Sequence, residues 1–162
     1  VSGLAWQLDG VELDLGLFVA GVMARAGADT PPTQPEFDHV MRTNVLGAMQ
    51  ALPQVAPLLR PGAALAFISS LMGSIAECQG SSAWLYRTSK AALNMAVHAA
   101  QQDHPDRLLL ALSPGWVQTD MGGAQAPLTV AQSVASMRRT LAGLQPAQRG
   151  AFLNHDGTPL PW

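Results

Sequence analysis

Charge is scarce in this sequence. Of its 162 residues only 12% are charged, about half the share usual in soluble domains, while 48% are hydrophobic. Such a chain buries much of itself or turns apolar faces toward a partner, a second copy included. The formal net charge is −2 and no basic cluster occurs, which excludes nucleic acid as an expected partner. A single cysteine, Cys78, rules out an internal disulfide and any zinc site needing two cysteines. His39, His98, His104 and His155 have no acidic partners at metal-ligand spacing, so no metal is expected. No apolar run reaches membrane-spanning length and no signal peptide is visible, which makes the cytoplasm the default compartment and a membrane role unexpected. Among the 15 glycines there is no Gly-x-Gly-x-x-Gly and no Gly-x-x-x-Gly-x-Gly. The glycine turn that seats a pyrophosphate on a helix N-terminus is therefore missing.

What is present is organised around Ser69 to Lys90. Tyr86 and Lys90 are four residues apart, so on a helix they share a face one turn from each other. An ammonium beside a phenol favours the phenolate, which predicts a lowered tyrosine pKa and a group able to pass protons near neutrality. Upstream, the apolar run Ala63 to Ile68 reads as a buried strand that delivers Ser69 and Ser70 into a loop. Further such strands are predicted at Leu13–Ala20, Arg107–Leu112 and Ala151–Leu153. Between them the periodicity predicts three helices. One follows a capping box at Thr33–Glu36 and runs from Phe37 to Leu59, kinked or ended by Pro53 and Pro57. A second covers Ala83 to Gln101, and a third starts at Thr129 and stops at Gly143. Alternating strands and helices predict a parallel α/β sheet in one domain, with ligands outside the carboxyl ends of the strands.

Four motifs in collinear order resemble the short-chain dehydrogenase/reductase family: Asn44-Val45-Leu46-Gly47, Ile68-Ser69-Ser70, Tyr86-Arg87-Thr88-Ser89-Lys90, and Pro114-Gly115-Trp116-Val117-Gln118-Thr119-Asp120-Met121. The branch with sniffer-type carbonyl reductases and bacterial C-factor proteins is most similar, down to the closing Asp156-Gly157 and Trp162. The resemblance implies a Rossmann-type doubly wound parallel sheet, of which residues 1–162 form a partial dinucleotide-binding and catalytic domain, its carboxy-terminal half. It implies hydride exchange between NAD or NADP and a small-molecule carbonyl or alcohol. Tyr86 would be the acid/base. Lys90 would tune it and bond the nicotinamide ribose, Ser70 would hold the substrate oxygen, and Asn44 would anchor a water in a proton relay. Ala20 and Gly21, then Pro114, Gly115, Val117 and Thr119, would line the cofactor. Met72, Trp84, Trp116 and Met121 are pocket walls or ordinary core.

Two features depart from the family pattern. The two asparagines expected before Ala20-Gly21 are replaced by Phe18-Val19. The glycine-rich turn, together with whatever chooses NAD or NADP, is absent, and Val1 to Leu8 read as the middle of a helix. The expectation is a chain lacking its natural beginning and weak in cofactor binding, with its activity alone left open. The alternative is a non-catalytic assembly or signalling protein, C-factor-like, that kept half of an enzyme fold. Asn44 leaves a choice of its own, because it falls on the apolar helix face and a buried amide must be hydrogen-bonded. A backbone partner alone satisfies that requirement as well as a relay does.

Overall fold

The computed structural model describes residues 3–162, so the expectation for Val1 and Ser2 lies outside the described residues. A short helix α1 (Leu4–Gln7) leads into β1 (Leu13–Phe18), followed by α2 (Gln34–Met41), a π-helical turn (Arg42–Leu46) and α3 (Gly47–Val55). Then come β2 (Leu59–Ile68), α4 (Trp84–Ala100), β3 (Leu108–Ser113), α5 (Val130–Ala142) and β4 (Phe152–Asn154). The strands form one sheet in the order β1-β2-β3-β4, and every neighbouring pair is parallel. This is the predicted α/β architecture. Parallel neighbours need crossovers, and the helices supply them on both faces of the sheet. Leu65, Phe67 and Leu109 face Ala48 of α3 and Leu93 and Val97 of α4, while Ala64, Ala66, Leu110, Leu112 and Leu153 face Met137 and Leu141 of α5.

Local chemistry sets the helix ends. Thr33 caps α2 by accepting from the Glu36 N–H, but without the reciprocal Glu36 bond the predicted box is half made. The complete box is at α5, where Thr129 and Gln132 satisfy each other's backbone, and Gly143 ends that helix as expected. The helix predicted from Phe37 to Leu59 is four segments: α2, the π turn, α3 and a 3₁₀ turn. Pro53 does not end α3: the helix continues to Val55, and Pro57 sits in the 3₁₀ turn Ala56–Leu58.

β2 begins at Leu59, four residues before the predicted Ala63. Leu13 pairs with Leu59 and Leu15 with Ala64, so residues 60–63 bulge out opposite Asp14, with Gly62 at φ +82°. Arg60 on the bulge bonds Glu12 and Asp14. The Leu15, Leu17 and Val19 side chains of the edge region remain 46%, 44% and 69% exposed. Among the described residues no strand pairs with the outer edge of β1, and a parallel edge flanked by apolar side chains is a template for pairing.

Candidate active site

The carboxyl ends of β1, β2 and β3 meet the first turns of α4, and this is where the predicted residues gather. Ala83, immediately before α4, takes the left-handed conformation at φ +54°. Non-glycine residues rarely do so without outside support. Here the support is the loop after β1: the Arg25 carbonyl accepts from the Ala83 N–H and the Ala26 carbonyl from the Trp84 N–H. That docking sets where Tyr86 begins its turn.

Tyr86 is only 6% exposed. The nearby Ser70 side chain acts to lower the phenol's pKa through hydrogen bonding, yet burial has the larger effect and raises it. The predicted lowering by Lys90 is thus corrected. The Lys90 Nζ stands 5.7 Å from the centre of the Tyr86 ring and donates to the Ile68 carbonyl at 2.8 Å. Its charge is committed to the end of β2, and desolvation dominates at the phenol. Lys90 is 2% exposed, and burial pushes its pKa down to about 8 from 10.5.

A depressed lysine pKa makes the fold's stability depend on pH. The unfolded chain holds this proton more tightly, so the penalty is full below pH 8 and is relieved as pH rises toward 10.5. Between pH 7 and 9.5 the relief comes to about 2 kcal/mol. Tyr86 acts in the opposite sense above pH 10, where the unfolded phenol loses its proton first. Urea unfolding should therefore show the native chain gaining stability from pH 7 to 9.5, and Lys90→Met should remove most of that gain. Equal pH profiles for the two proteins would show Lys90 to be solvated.

Ser69 and Ser70 go to different places, as successive residues at a strand end must. The Ser69 hydroxyl is buried and donates to Asn94 Oδ1 at 2.6 Å. Ser70 is half-buried, accepts from the Met72 N–H and reaches Tyr86. Asn44 lies in the π turn, fully buried. Its Oδ1 accepts from the Val22 N–H, and its Nδ2 donates to the Val22 carbonyl and to Ser89 Oγ. Both amide hydrogens are consumed, so the side chain ties the helix to the loop after β1. The Ser89 hydroxyl in turn donates to the Tyr86 carbonyl. Ser89 stands in the Tyr86–Lys90 motif without a role of its own, and Asn94 is visible in the sequence only as a polar residue on the α4 face that carries Tyr86 and Lys90.

Gly21 lies against this group. A Cβ there would stand 3.4 Å from Lys90 Nζ and 3.7 Å from Asn44 Oδ1. Ala20 precedes it just past the end of β1. Beyond β3, Gly115 has φ +77°, and a Cβ would lie 2.6 Å from Leu128 and 2.7 Å from His155. Pro114 is held through its carbonyl by the Ser133 hydroxyl. Val117 forms a bridge with Leu128 that is made by the Gln118 N–H and the Trp116 carbonyl. The N–H of Val117 itself therefore points to the other side of the segment. Thr119 Oγ1 accepts from the Gly122 N–H.

The four predicted wall residues split into two groups. Met72 and Trp84 line a hollow of about 470 Å³ with Ile75, Cys78, Arg87 and Thr88. Its α4 positions are on a different face from Tyr86 and Lys90. Trp116 and Met121 belong to the loop after β3: Trp116 Nε1 donates to the Gly122 carbonyl, and Arg25 donates to the Met121 carbonyl. Among the described residues no three His, Cys, Asp or Glu are placed to hold a metal, and no helix is long and apolar enough to cross a membrane.

Comparison with known proteins gives consistent matches. A sequence model of the short chain dehydrogenase family matches residues 11–127. The chain is 44% identical over 123 residues to the C-signal protein of Myxococcus xanthus, covering 74% of each. It superposes on the carbonyl reductase Sniffer of D. melanogaster with a TM-score of 0.90 at 32% identity, covering 99% of this chain and 71% of that one. The NADPH-bound carbonyl reductase from chicken fatty liver gives a TM-score of 0.88 at 32% identity, covering 99% and 70%.

Proposed function

The chain belongs to the short chain dehydrogenase family, and from that premise we propose that it interconverts a small-molecule carbonyl and its alcohol by hydride transfer with NADP or NAD, using Tyr86 as acid/base. The observation that carries the reading is the contact of Ser70 with Tyr86 beside a buried Lys90 at the carboxyl end of the sheet.

The roles follow from the groups available. Ser70 donates a hydrogen bond to the substrate oxygen and keeps it beside Tyr86. The Tyr86 hydroxyl donates its proton to that oxygen as negative charge develops there. Burial keeps the phenol protonated, which suits the direction of carbonyl reduction. Lys90 supplies positive charge below about pH 8 and, next to Gly21, is placed to bond the nicotinamide ribose. Asn44 acts through its backbone carbonyl as the relay anchor, because its amide hydrogens are spent on Val22 and Ser89. The outward N–H of Val117, with Pro114, Gly115 and Thr119, receives the nicotinamide carboxamide, and Ala20 and Gly21 allow close approach from β1. The residues present thus fit the nicotinamide end, where a bound cofactor supplies or accepts the hydride.

The test is consumption of NADPH or NADH with a panel of aldehydes and ketones, using cofactor deuterated at the reacting carbon. Deuterium in the alcohol product is the expected result. Consumption without transfer to carbon, or no transfer once cofactor saturates, counts against the reading.

A second reading is an assembly or signalling role. It is favoured by the identity to the C-signal protein and by the exposed Leu15, Leu17 and Val19 on the edge strand region. Such a role is indifferent to the Tyr86 hydroxyl, so Tyr86→Phe separates the two.

A further inference from the structure

We propose that Asn94 is the positioning residue for Ser70, pinning the chain on both sides of that serine so that its hydroxyl faces Tyr86. The inference rests on the reading of Ser70 and Tyr86 as the reacting pair. Asn94 lies one turn beyond Lys90 and two beyond Tyr86 on the same side of α4, and it is 2% exposed. Its Oδ1 accepts from the Ser69 hydroxyl at 2.6 Å, and its Nδ2 donates to the Gly73 carbonyl at 3.3 Å. These partners bracket residues 70–72. Between them Ser70 Oγ accepts the Met72 N–H and closes the short turn Leu71–Gly73.

The second pin has no slack. A Cβ at Gly73 would lie 2.9 Å from both Lys90 C and Cβ and 3.1 Å from Asn94 Nδ2. The backbone at Gly73 is pressed onto the helix at the residue that carries the buried ammonium. The first pin also commits the neighbouring hydroxyl, because Ser69 donates it to Asn94. One amide, with an acceptor and a donor in a fixed plane, therefore registers the serine loop against the helix that carries Tyr86. A carboxylate at this position lacks the donor, and an aliphatic side chain lacks both.

Tyr86 is the only tyrosine in the sequence and Lys90 the only lysine, so the phenol's titration is readable as a single signal, by NMR of labelled tyrosine or by tyrosinate absorbance. Lys90, the charged group over the ring, titrates near pH 8 and is neutral before the phenol's range. Ser70→Ala removes a bond that lowers the phenol's pKa, so the midpoint should move up. Asn94→Ala is expected to move it in the same direction by a comparable amount. The double variant should move it no further than Ser70→Ala alone, and Ser69→Ala should give a smaller shift. A midpoint unchanged in Asn94→Ala, while Ser70→Ala moves it, overturns the positioning role and leaves the Ser70–Tyr86 reading standing. Additive shifts in the double variant also overturn it, because Asn94 then acts by another route. No shift in Ser70→Ala overturns both. Should Asn94→Ala fail to fold, Ser69→Ala, which keeps the Gly73 pin, decides in the same terms: a shift supports the role and none overturns it.

Discussion

NADPH and NADH are expected to bind the 162-residue chain with dissociation constants near millimolar or weaker, and to tighten by about a thousandfold when a glycine-rich strand–turn–helix from a carbonyl reductase relative is joined ahead of Val1. On the proposed reading the nicotinamide end would be held by Gly21 against Lys90 and by the Val117 N–H beyond β3. For the pyrophosphate the chain offers no glycine turn, since none of the 15 glycines falls in the required spacing. Charge-assisted bonds contribute roughly 1.5–3 kcal/mol each. Losing two of them costs about 4 kcal/mol, or roughly three powers of ten in affinity. Calorimetric titration with each cofactor, on the chain and on the joined form, measures this. Micromolar binding by the chain alone would reveal an anion site elsewhere on it. Equal, weak binding by both forms would point to the replaced asparagines, where Phe18 and Val19 now stand.

Much of this is legible in the sequence, for reasons that differ by element. The strands β2 and β3 are unbroken apolar runs because both faces of a central parallel strand are covered, so Leu108–Leu112 could be read as buried without knowing its neighbours. Thr129 and Gly143 bound α5 because caps are local chemistry. The start of β2 was not legible, since Arg60, Pro61 and Gly62 read as a turn and pair only because β1 lies beside them. Asn44 was legible as a polar residue on an apolar face, but not as the centre of a π turn. That turn accompanies the bonds from Asn44 to Val22, 22 residues earlier in the chain. The sign of the Tyr86 shift is not legible, because spacing reports that a lysine is near and says nothing about burial. Burial outweighed the hydrogen bond from Ser70, and the ammonium had turned to Ile68. That Met72 and Trp84 line a hollow apart from Trp116 and Met121 is illegible for a similar reason: side-chain type marks a wall, while the face of α4 decides which cavity it lines.

The proposed catalytic group and the exposed edge are separable by substitution, and Tyr86→Phe is the sharper probe. In the form with the glycine-rich half joined, this change should lower carbonyl turnover by about 10²–10⁴, the usual contribution of a positioned acid/base. Cofactor affinity should hold within a few-fold, since the hydroxyl removed bonds Ser70 rather than Lys90. Stability should change little or rise slightly, because burial already disfavours ionisation of the phenol and Phe fills nearly the same volume. The comparison variant is Ser70→Ala, which leaves the acid in place but loses the bond that orients the substrate oxygen, so it should retain more turnover than Tyr86→Phe. Initial rates of reduced-cofactor consumption at saturating cofactor measure both. If Tyr86→Phe keeps native turnover, the proton reaches the substrate by another path and the acid/base assignment falls. If it abolishes turnover but leaves self-association through the Leu15–Val19 edge unchanged, then chemistry and assembly are separate properties of one chain.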